Sequence, residues 1–260
     1  MVRSRLGAVL AGALWIFAGC GDAAGTGGGD GDGGAAEGGE GTGNGPGTGG
    51  AGLGPSCEPA AEDRAGEATY YDFADGSGNC GFPATPDDLR VGAMNHTDYA
   101  DSAACGACAH ITGPLGSITV RIVDRCPECP QGDIDLSPEA FEQIAALEQG
   151  RVDITWGYVP CDVSGPIVYH FKEGANPFWM AVQIRNHRTP IASVEAMDET
   201  GSFVALTRVD YNFFLKEDGL GEGPYTFRVT DTLGEVLEDT GVAFVEAGET
   251  AGASQFSGCL

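Results

Sequence analysis

Two pairs of cysteines have the spacing with the clearest chemical meaning in this 260-residue sequence. Cys105 and Cys108 form one Cys-x-x-Cys pair, and Cys126 and Cys129 form the other. Four thiolates with such spacing can hold a zinc ion, as they do in zinc ribbons. In an exported protein the same thiols tend instead to oxidise to disulfides. The choice between zinc and disulfides therefore depends on whether the chain leaves the cytoplasm.

The N-terminus indicates export. Arg3 and Arg5 precede an apolar run over residues 6–18, which is too short to cross a bilayer as a stable helix and is typical of a signal-peptide core. Small residues then precede Cys20, as in a bacterial lipobox. We expect a lipoprotein signal peptide over 1–20 and lipidation at Cys20, which would hold a secreted protein at a bacterial cell surface. The alternative is ordinary cleavage with an incidental cysteine.

Export also bears on the remaining reactive residues. The sequence has nine cysteines, so acylation of Cys20 would leave an even number, and this favours four disulfides over zinc. No phosphate-binding loop, serine elbow or nucleotide motif is present. The four histidines show no metal-ligand spacing: His96, His110, His170 and His187. We therefore expect neither a metal nor a cofactor.

Residues 21–56 have a composition that cannot fold. Half of them are glycine, with Asp, Glu, Thr and Ala between, and no apolar periodicity exists to offset the entropy of ordering. We expect a disordered linker with a mean reach of about 30–35 Å. Such a tether suits a globular body attached to a lipid.

The charge of the chain excludes one large class of partner. The formal net charge is −25, with 13 Lys and Arg against 38 Asp and Glu. Nucleic-acid binding requires clustered cations, so we expect no nucleic-acid partner. Acidic polymers such as pectin should be repelled at low salt, and a neutral ligand fits better.

The remaining chain is long enough for two domains of about 100 residues each. Residues 57–162 contain two alternating strands, at 117–124 and 152–159, with one short helix between them. Ser137 is a good N-cap for that helix, and Pro138 suits its first turn. This pattern predicts a β-barrel that carries one short helix.

Residues 163–247 contain strand patterns alone, separated by turn residues. Short strands at such intervals indicate a β-sandwich, so the fold class is all-β. We expect residues 248–260 to form a C-terminal tail. The predicted strands are 167–172, 179–186, 193–197, 203–209, 225–232 and 242–245.

Motifs in both domains resemble those of bacterial expansins. They are GEATYY (66–71), DRCPEC (124–129), GDIDLSPEAF (132–141), FKEG (171–174), QIRNH (183–187) and DYNFF (210–214). The resemblance covers residues 64–240. It implies a six-stranded double-psi β-barrel followed by an immunoglobulin-like β-sandwich, a family-63-type carbohydrate-binding module. It also implies a structural role for His187.

In the barrel, the resemblance implies a polysaccharide-binding groove with contacts from Thr69, Asp124 and Asp135. Asp135 matches the aspartate on which wall loosening depends most. Two structural alternatives stay open: Asp135 could be a turn carboxylate ahead of the helix, and Asp124 could be a strand-end carboxylate. Some relatives have a groove tyrosine where this chain has Cys126, so that contact is absent or replaced.

In the module, the resemblance implies a flat carbohydrate-binding face that contains Lys172, Phe178, Trp179 and Tyr211. Aromatic planes of this kind stack against the C–H groups of sugar rings. Many relatives have two adjacent tryptophans where this chain has Phe178 and Trp179. The alternative is that Phe178 and Trp179 are core residues, and adjacent residues of one strand would point to opposite faces. Pro177 suggests a loop that lets both emerge.

The resemblance also bears on the cysteines. The disulfide pattern of plant expansins implies Cys80–Cys105 and Cys108–Cys161. Elimination then leaves Cys126 with Cys129, and Cys57 with Cys259.

Hydrolysis of a glycan usually requires two carboxylates, an acid and a base or nucleophile. Asp135 resembles the acid of family-45 endoglucanases, whose base comes from a segment near the first strand. In this chain Thr69 occupies the groove there, and the register of Asp72 is wrong for a base. A lone acid cannot activate water. We therefore expect no hydrolytic residue.

The predicted function is the binding and loosening of cellulose or a related β-glucan, by a monomer, without hydrolysis. Three alternatives remain: a family-45-like endoglucanase, a peptidoglycan lytic transglycosylase, and a module that only binds.

Overall fold

The computed structural model describes residues 64–72 and 74–258. The predicted signal peptide, the lipidation site Cys20, the glycine-rich linker and the Cys57–Cys259 pairing lie outside the described residues. Within the described part, no helix has both the length and the apolarity needed to cross a bilayer.

The first half of the described chain is a closed β-barrel in the order β1-β5-β2-β4-β3-β6. Two of its pairings, β1–β5 and β2–β4, are parallel, and the others are antiparallel. This is the predicted six-stranded double-psi barrel. Its strands are β1 (Arg64–Tyr70), β2 (Val91–Asn95), β3 (Cys108–Gly113), β4 (Gly116–Cys126), β5 (Ile134–Leu136) and β6 (Val152–Val159).

Alternation of residue types forms these strands, as the sequence predicted. In β4, Ile118, Val120 and Ile122 are buried in the barrel core, whereas Thr119 between them is exposed. The side chain of Trp156 on β6 is fully buried. The barrel core therefore follows the period-two pattern of its strands.

Two glycines allow β1 and β5 to approach closely. A Cβ atom on Gly66 would lie 2.2 Å from the carbonyl oxygen of Gly132, which itself has a φ of +91°. Trp156 Nε1 donates to the same carbonyl oxygen at 2.7 Å. The parallel register that results places Thr69 opposite Asp135.

The barrel carries two four-residue α-helices and a short 3₁₀ turn, Leu147–Gln149. Helix α2 (Pro138–Phe141) begins as predicted, because Ser137 Oγ accepts from Ala140 N at 3.1 Å. Helix α1 (His96–Tyr99) was not predicted, although Asn95 caps it by accepting from Asp98 N at 2.9 Å.

The second half is a β-sandwich of a four-stranded sheet, β10-β9-β13-β14, and a five-stranded sheet, β11-β12-β8-β7-β15. Aromatic residues from both sheets fill the space between them, and Tyr169 stacks on Phe227 with ring centroids 5.0 Å apart. The strands are β7 (Val168–Phe171), β8 (Met180–Arg185), β9 (Ile191–Met197), β10 (Phe203–Ala205), β11 (Thr207–Arg208), β12 (Phe214–Lys216), β13 (Tyr225–Asp231), β14 (Val236–Val242) and β15 (Glu249–Ala251).

The end of the sandwich differs from the prediction. The strand expected at 242–245 instead spans Val236–Val242. The expected tail after residue 247 contains β15, which pairs with β7, and Phe256, whose side chain is fully buried in the core. The described part of that tail therefore contributes to the sandwich.

Three disulfides occur in the described part, and their pairings match those expected: Cys80–Cys105, Cys108–Cys161 and Cys126–Cys129. Cys105 and Cys108, one half of the zinc-ribbon pattern, are thus bonded to two different partners. Thiols consumed in this way cannot hold zinc, so the zinc alternative is wrong.

Candidate functional site

The three predicted groove residues lie at one level across four neighbouring strands of the barrel. Thr69 on β1 is opposite Asp135 on β5, Asp135 is opposite Ala93 on β2, and Ala93 is opposite Asp124 on β4. Two strand spacings separate the backbones of Asp135 and Asp124, which corresponds to about 10 Å. Only the small residue Ala93 lies between the two carboxylates in this row. The structure therefore brings all three predicted residues together.

Asp135 is the carboxylate in the more unusual environment. Its Oδ1 accepts a hydrogen bond of 2.5 Å from Thr69 Oγ1. Partial burial raises the pKa of Asp135 above its usual value, and the charges of Glu128 and Asp124 act in the same direction. The Thr69 hydrogen bond and the charge of Arg151 oppose that rise. Asp135 therefore retains its proton to a higher pH than an exposed aspartate does.

Asp124 is held by main-chain groups. Its Oδ1 accepts from Asn79 N at 2.7 Å and from Arg125 N at 2.8 Å. The backbone of Gly78 packs so closely that a Cβ atom there would lie 2.5 Å from Asp124 Cβ. These contacts fix the Asp124 side chain, and one of its two carboxylate oxygens is already hydrogen-bonded by two donors.

Tyr71 lies near Asp124 and Asp135 but was not predicted as a site residue. Its backbone N donates to Leu136 O at 3.1 Å, which continues the pairing of β1 with β5 by one residue. Its hydroxyl group is buried and has no hydrogen-bond partner. Burial, and then the charges of Asp124 and Asp135, raise the pKa of Tyr71, so the phenol stays neutral. Tyr71 follows Thr69 by two residues, and residues with this spacing on a strand point to the same face, so the sequence did contain a signal for Tyr71.

The predicted aromatic face begins at a tight turn, Asn176–Trp179. Asn176 and Trp179 exchange backbone hydrogen bonds of 2.9 and 3.1 Å, and Phe178 N donates to Asn176 Oδ1 at 2.9 Å. Phe178 stands at the tip of this turn and is 80% exposed. The alternative that Phe178 is a core residue is therefore wrong.

Two other members of this face, Lys172 and Tyr211, lie beside Phe213. Lys172 Nζ lies 5.6 Å from the ring centroid of Phe213, and the Tyr211 ring lies 6.0 Å from it. Trp179 is half-buried and directly precedes Met180, which lies in the sandwich core, so alternation places Trp179 on the outer face of the five-stranded sheet. Phe213 is buried and supports the exposed residues, and it was not singled out from the sequence.

One residue, Asn79, connects the groove to the aromatic face through its backbone and its side chain. Asn79 N donates to Asp124 in the groove, and Asn79 Nδ2 donates to Asp210 O at 2.7 Å, next to Tyr211. Tyr99 Oη donates to the same carbonyl oxygen at 2.7 Å and accepts from Asn79 Nδ2 at 2.8 Å. The loop that carries Tyr211 is thus hydrogen-bonded to the barrel.

His187 is fully buried at the junction of barrel and sandwich. Its Nδ1–H donates to Thr189 O at 2.8 Å, and burial lowers its pKa to about 4. His187 is therefore neutral near pH 7, which agrees with the structural role expected for it.

Comparisons with known proteins agree with this architecture. Residues 91–156, within the barrel, match a family of domains described as lytic transglycolase. Expansin-YoaJ of Bacillus subtilis is 33% identical over 201 residues, which are 75% of this chain and 86% of that protein. The crystal structure of apo Clavibacter michiganensis expansin superposes with a TM-score of 0.69 at 31% identity, over 74% of this chain and 96% of that one.

A variant of the Clavibacter expansin, solved in complex with cellohexaose, gives the same TM-score of 0.69 at 30% identity and the same coverage. These relatives contain both halves of the described architecture, the barrel and the sandwich. Because the similarity spans most of the length of each relative, the chain belongs to the bacterial expansin family.

Proposed function

We propose that this protein binds cellulose or a related β-glucan and loosens polysaccharide assemblies without hydrolysing them. The observation that carries the proposal is the groove itself. A hydrolase would need a general base at the position that Thr69 occupies. The Thr69 hydroxyl group donates a hydrogen bond to Asp135 and cannot activate water. The expansin of Clavibacter that was solved with cellohexaose supports a β-1,4-glucan as the ligand.

In the groove, we assign polar contacts with the sugar chain to Thr69, Asp124 and Asp135. Each carboxylate has an acceptor site that its present hydrogen bonds leave open, and sugar hydroxyls can donate to it. Hydrogen bonds of this kind would compete with those between neighbouring glucan chains. Chains could then slip past one another with no covalent bond broken, which requires no cofactor.

On the aromatic face, we assign stacking against sugar rings to Phe178, Trp179 and Tyr211. Each ring would remove apolar area from water at about 25 cal/mol per Å². Lys172 lies beside them and can donate to a sugar hydroxyl. The face thus supplies affinity for the surface of a glucan assembly.

The test is the extension of plant wall strips under constant load, measured beside the release of reducing ends from soluble glucan. We expect extension above the buffer control and no release of reducing ends. Folded protein that produces no extension would contradict the loosening function. If the unmodified protein releases reducing ends and Asp135→Asn does not, the alternative function as a family-45-like endoglucanase would be supported instead.

A lytic transglycosylase remains the second candidate, because the barrel residues 91–156 match a family with that description. Pull-down on cellulose and on peptidoglycan separates the two. We expect the protein to be retained on cellulose. Retention on peptidoglycan together with release of muropeptide fragments would favour the second candidate.

We further propose that the protein is secreted, stays monomeric and is attached to a bacterial membrane through acylated Cys20. Residues 1–20 have the composition of a lipoprotein signal. Cys20→Ser should move the protein from the membrane fraction to the medium. Light scattering of the mature protein should give the mass of one chain.

A further inference from the structure

A cavity of about 420 Å³ lies at the junction of the barrel and the sandwich. It is distinct from the proposed groove, since neither Thr69, Asp124 nor Asp135 lines it. Both halves of the molecule contribute to its wall. The lining includes Phe82, Thr85, Asp88, Arg121, Asp162 and His187. Cavities of this size at domain junctions are common sites for small ligands.

Arg121 is the cation of this cavity whose hydrogen-bonding capacity is least used. It is half-buried on β4, and Nη2 donates to Thr85 Oγ1 at 3.2 Å. Its guanidinium carbon lies 5.8 Å from the ring centroid of Phe82. Among the described residues, no carboxylate lies within ion-pair distance of it. A guanidinium has five N–H donors, so most of them remain available to a ligand.

The neighbouring arginines, in contrast, have carboxylate partners. Arg90 binds Asp88 through two hydrogen bonds of 2.9 and 3.1 Å. Arg185 Nη1 binds Glu249 Oε1 at 2.6 Å. Asp88 acts on Arg121 only at longer range, and burial lowers the pKa of Arg121. A partly desolvated cation without a paired anion is costly, and a bound anion would offset that cost.

The remaining walls suit a sugar ring better than a bare ion. Phe82 is largely buried in the barrel core, and its exposed part lines the cavity beside the guanidinium. The Cys108–Cys161 disulfide contributes a second apolar surface. His187 is neutral, because burial lowers its pKa to about 4, so it adds no charge.

Asp88 and Asp162 also line the cavity, and Asp88 is paired with Arg90. Among the described arginines of the lining, Arg121 is the one without an ion pair, and such a group beside an aromatic ring matches a sugar that carries one carboxylate.

We propose that this cavity binds a hexuronic acid residue, with its carboxylate on the Arg121 guanidinium and its ring against Phe82. The net charge of −25 disfavours a densely charged polymer. The ligand class is therefore a largely neutral polysaccharide that carries isolated uronic acid residues. The protein would then hold such a chain at a second point, apart from the aromatic face.

Two-dimensional NMR titration of the mature protein with methyl β-glucuronide, and with methyl β-glucoside as its neutral counterpart, tests the proposal. We expect binding of the glucuronide at least tenfold tighter than that of the glucoside. The signals of Thr85, Arg121 and His187 should shift in the unmodified protein, a result that needs no variant to fold. Equal affinity for the two sugars, or shifts confined to other residues, would overturn the proposal.

Arg121→Gln should remove the preference for the glucuronide, and Arg121→Lys should retain part of it. Arg228→Gln is the matched control, because it removes the same charge from the four-stranded sheet, away from the cavity, where Arg228 pairs with Glu238. A preference that survives Arg121→Gln, or that Arg228→Gln removes equally, would contradict the site. Inorganic phosphate is the competitor. If phosphate displaces the glucuronide at equal concentration, the cavity is a general anion site, and the assignment to uronic acid is wrong.

Trp179→Ala separates this proposal from the proposed function. It should weaken cellulose binding roughly tenfold and leave the glucuronide titration unchanged. Loss of both would show that the cavity does not bind independently.

Discussion

The barrel groove and the aromatic face present opposite kinds of surface to a sugar chain. In the groove, Asp135 and Asp124 are partly buried on regular strands, and both carboxylates accept hydrogen bonds from the protein. On the aromatic face, Phe178 projects from the tip of a turn and is 80% exposed. The groove side chains are therefore held in fixed positions, as the polar contacts proposed for them require, whereas the face exposes apolar area, as the proposed stacking requires.

This contrast predicts that the two regions can be impaired separately. Changes in the groove should lower loosening with little effect on binding, and changes on the face should lower both. The four variants that follow run from the largest expected effect to the smallest.

Asp135→Asn should reduce wall extension about tenfold or more and change cellulose affinity less than about twofold. The amide keeps the shape but loses the charge that strengthens hydrogen bonds from sugar hydroxyls, worth about 1.5–3 kcal/mol. Extension under constant load and depletion binding to cellulose are the measurements. Asp153→Asn, at an exposed position on β6, is the control and should behave as the unmodified protein. Normal extension by Asp135→Asn would remove the distinction between the two regions.

Trp179→Ala should weaken binding to cellulose roughly tenfold. Burial of about 60–80 Å² of apolar ring surface contributes about 1.5–2 kcal/mol. Depletion binding measures the loss, and wall extension should fall in parallel. Phe203→Ala removes a half-buried aromatic ring from the opposite sheet, where it packs under Arg228, and should leave the affinity unchanged. Equal losses from the two variants would show that binding does not depend on this face.

Asn79→Ala should lower wall extension a few-fold with little change in cellulose affinity. The substitution keeps the backbone hydrogen bond to Asp124 and removes the two made by Nδ2, to Asp210 O and Tyr99 Oη, at about 1 kcal/mol each. The connection between groove and face would then loosen while each surface stays intact. The ratio of extension to binding is the measurement. A proportional loss of both would indicate general destabilisation and contradict this role.

Tyr71→Phe should leave thermal stability unchanged or raise it by up to about 1 kcal/mol, because a buried hydroxyl without a partner is itself costly. Tyr99→Phe is the matched control, since its hydroxyl donates to Asp210 O and its loss should lower stability by about 1 kcal/mol. Thermal unfolding measures both variants. Equal destabilisation by the two would show that the Tyr71 hydroxyl has a stabilising partner, such as an ordered water.

The resemblance to expansin motifs was sufficient to predict that Thr69, Asp124 and Asp135 lie together, because each lies in a short segment that matches a motif of that family. Asn79 and Phe213 could not be found in this way. Asn79 acts through contacts with Asp124 and with Asp210, which are distant from it in the sequence. Such long-range contacts leave no trace in local periodicity.

The wrong prediction of a strand at 242–245, where the structure has β14 at Val236–Val242, also results from long-range contacts. Within β14 (Val236–Val242), Asp239 occupies a buried position, which interrupts the alternation that would have marked a strand. The carboxylate is satisfied there by Tyr169 Oη at 2.9 Å and by Ala253 N at 2.9 Å. A buried charge with partners from distant segments is what single-sequence patterns describe least well.

The last strand of the sandwich has a consequence for how molecules of this protein meet one another. Three-residue β15 covers the open side of β7, and the Glu249 carboxylate on it is bound by Arg185. A short, charged border of this kind discourages edge-to-edge joining of sheets from separate molecules. A chain trimmed at residue 247 would lose that protection together with buried Phe256, and would be prone to self-association.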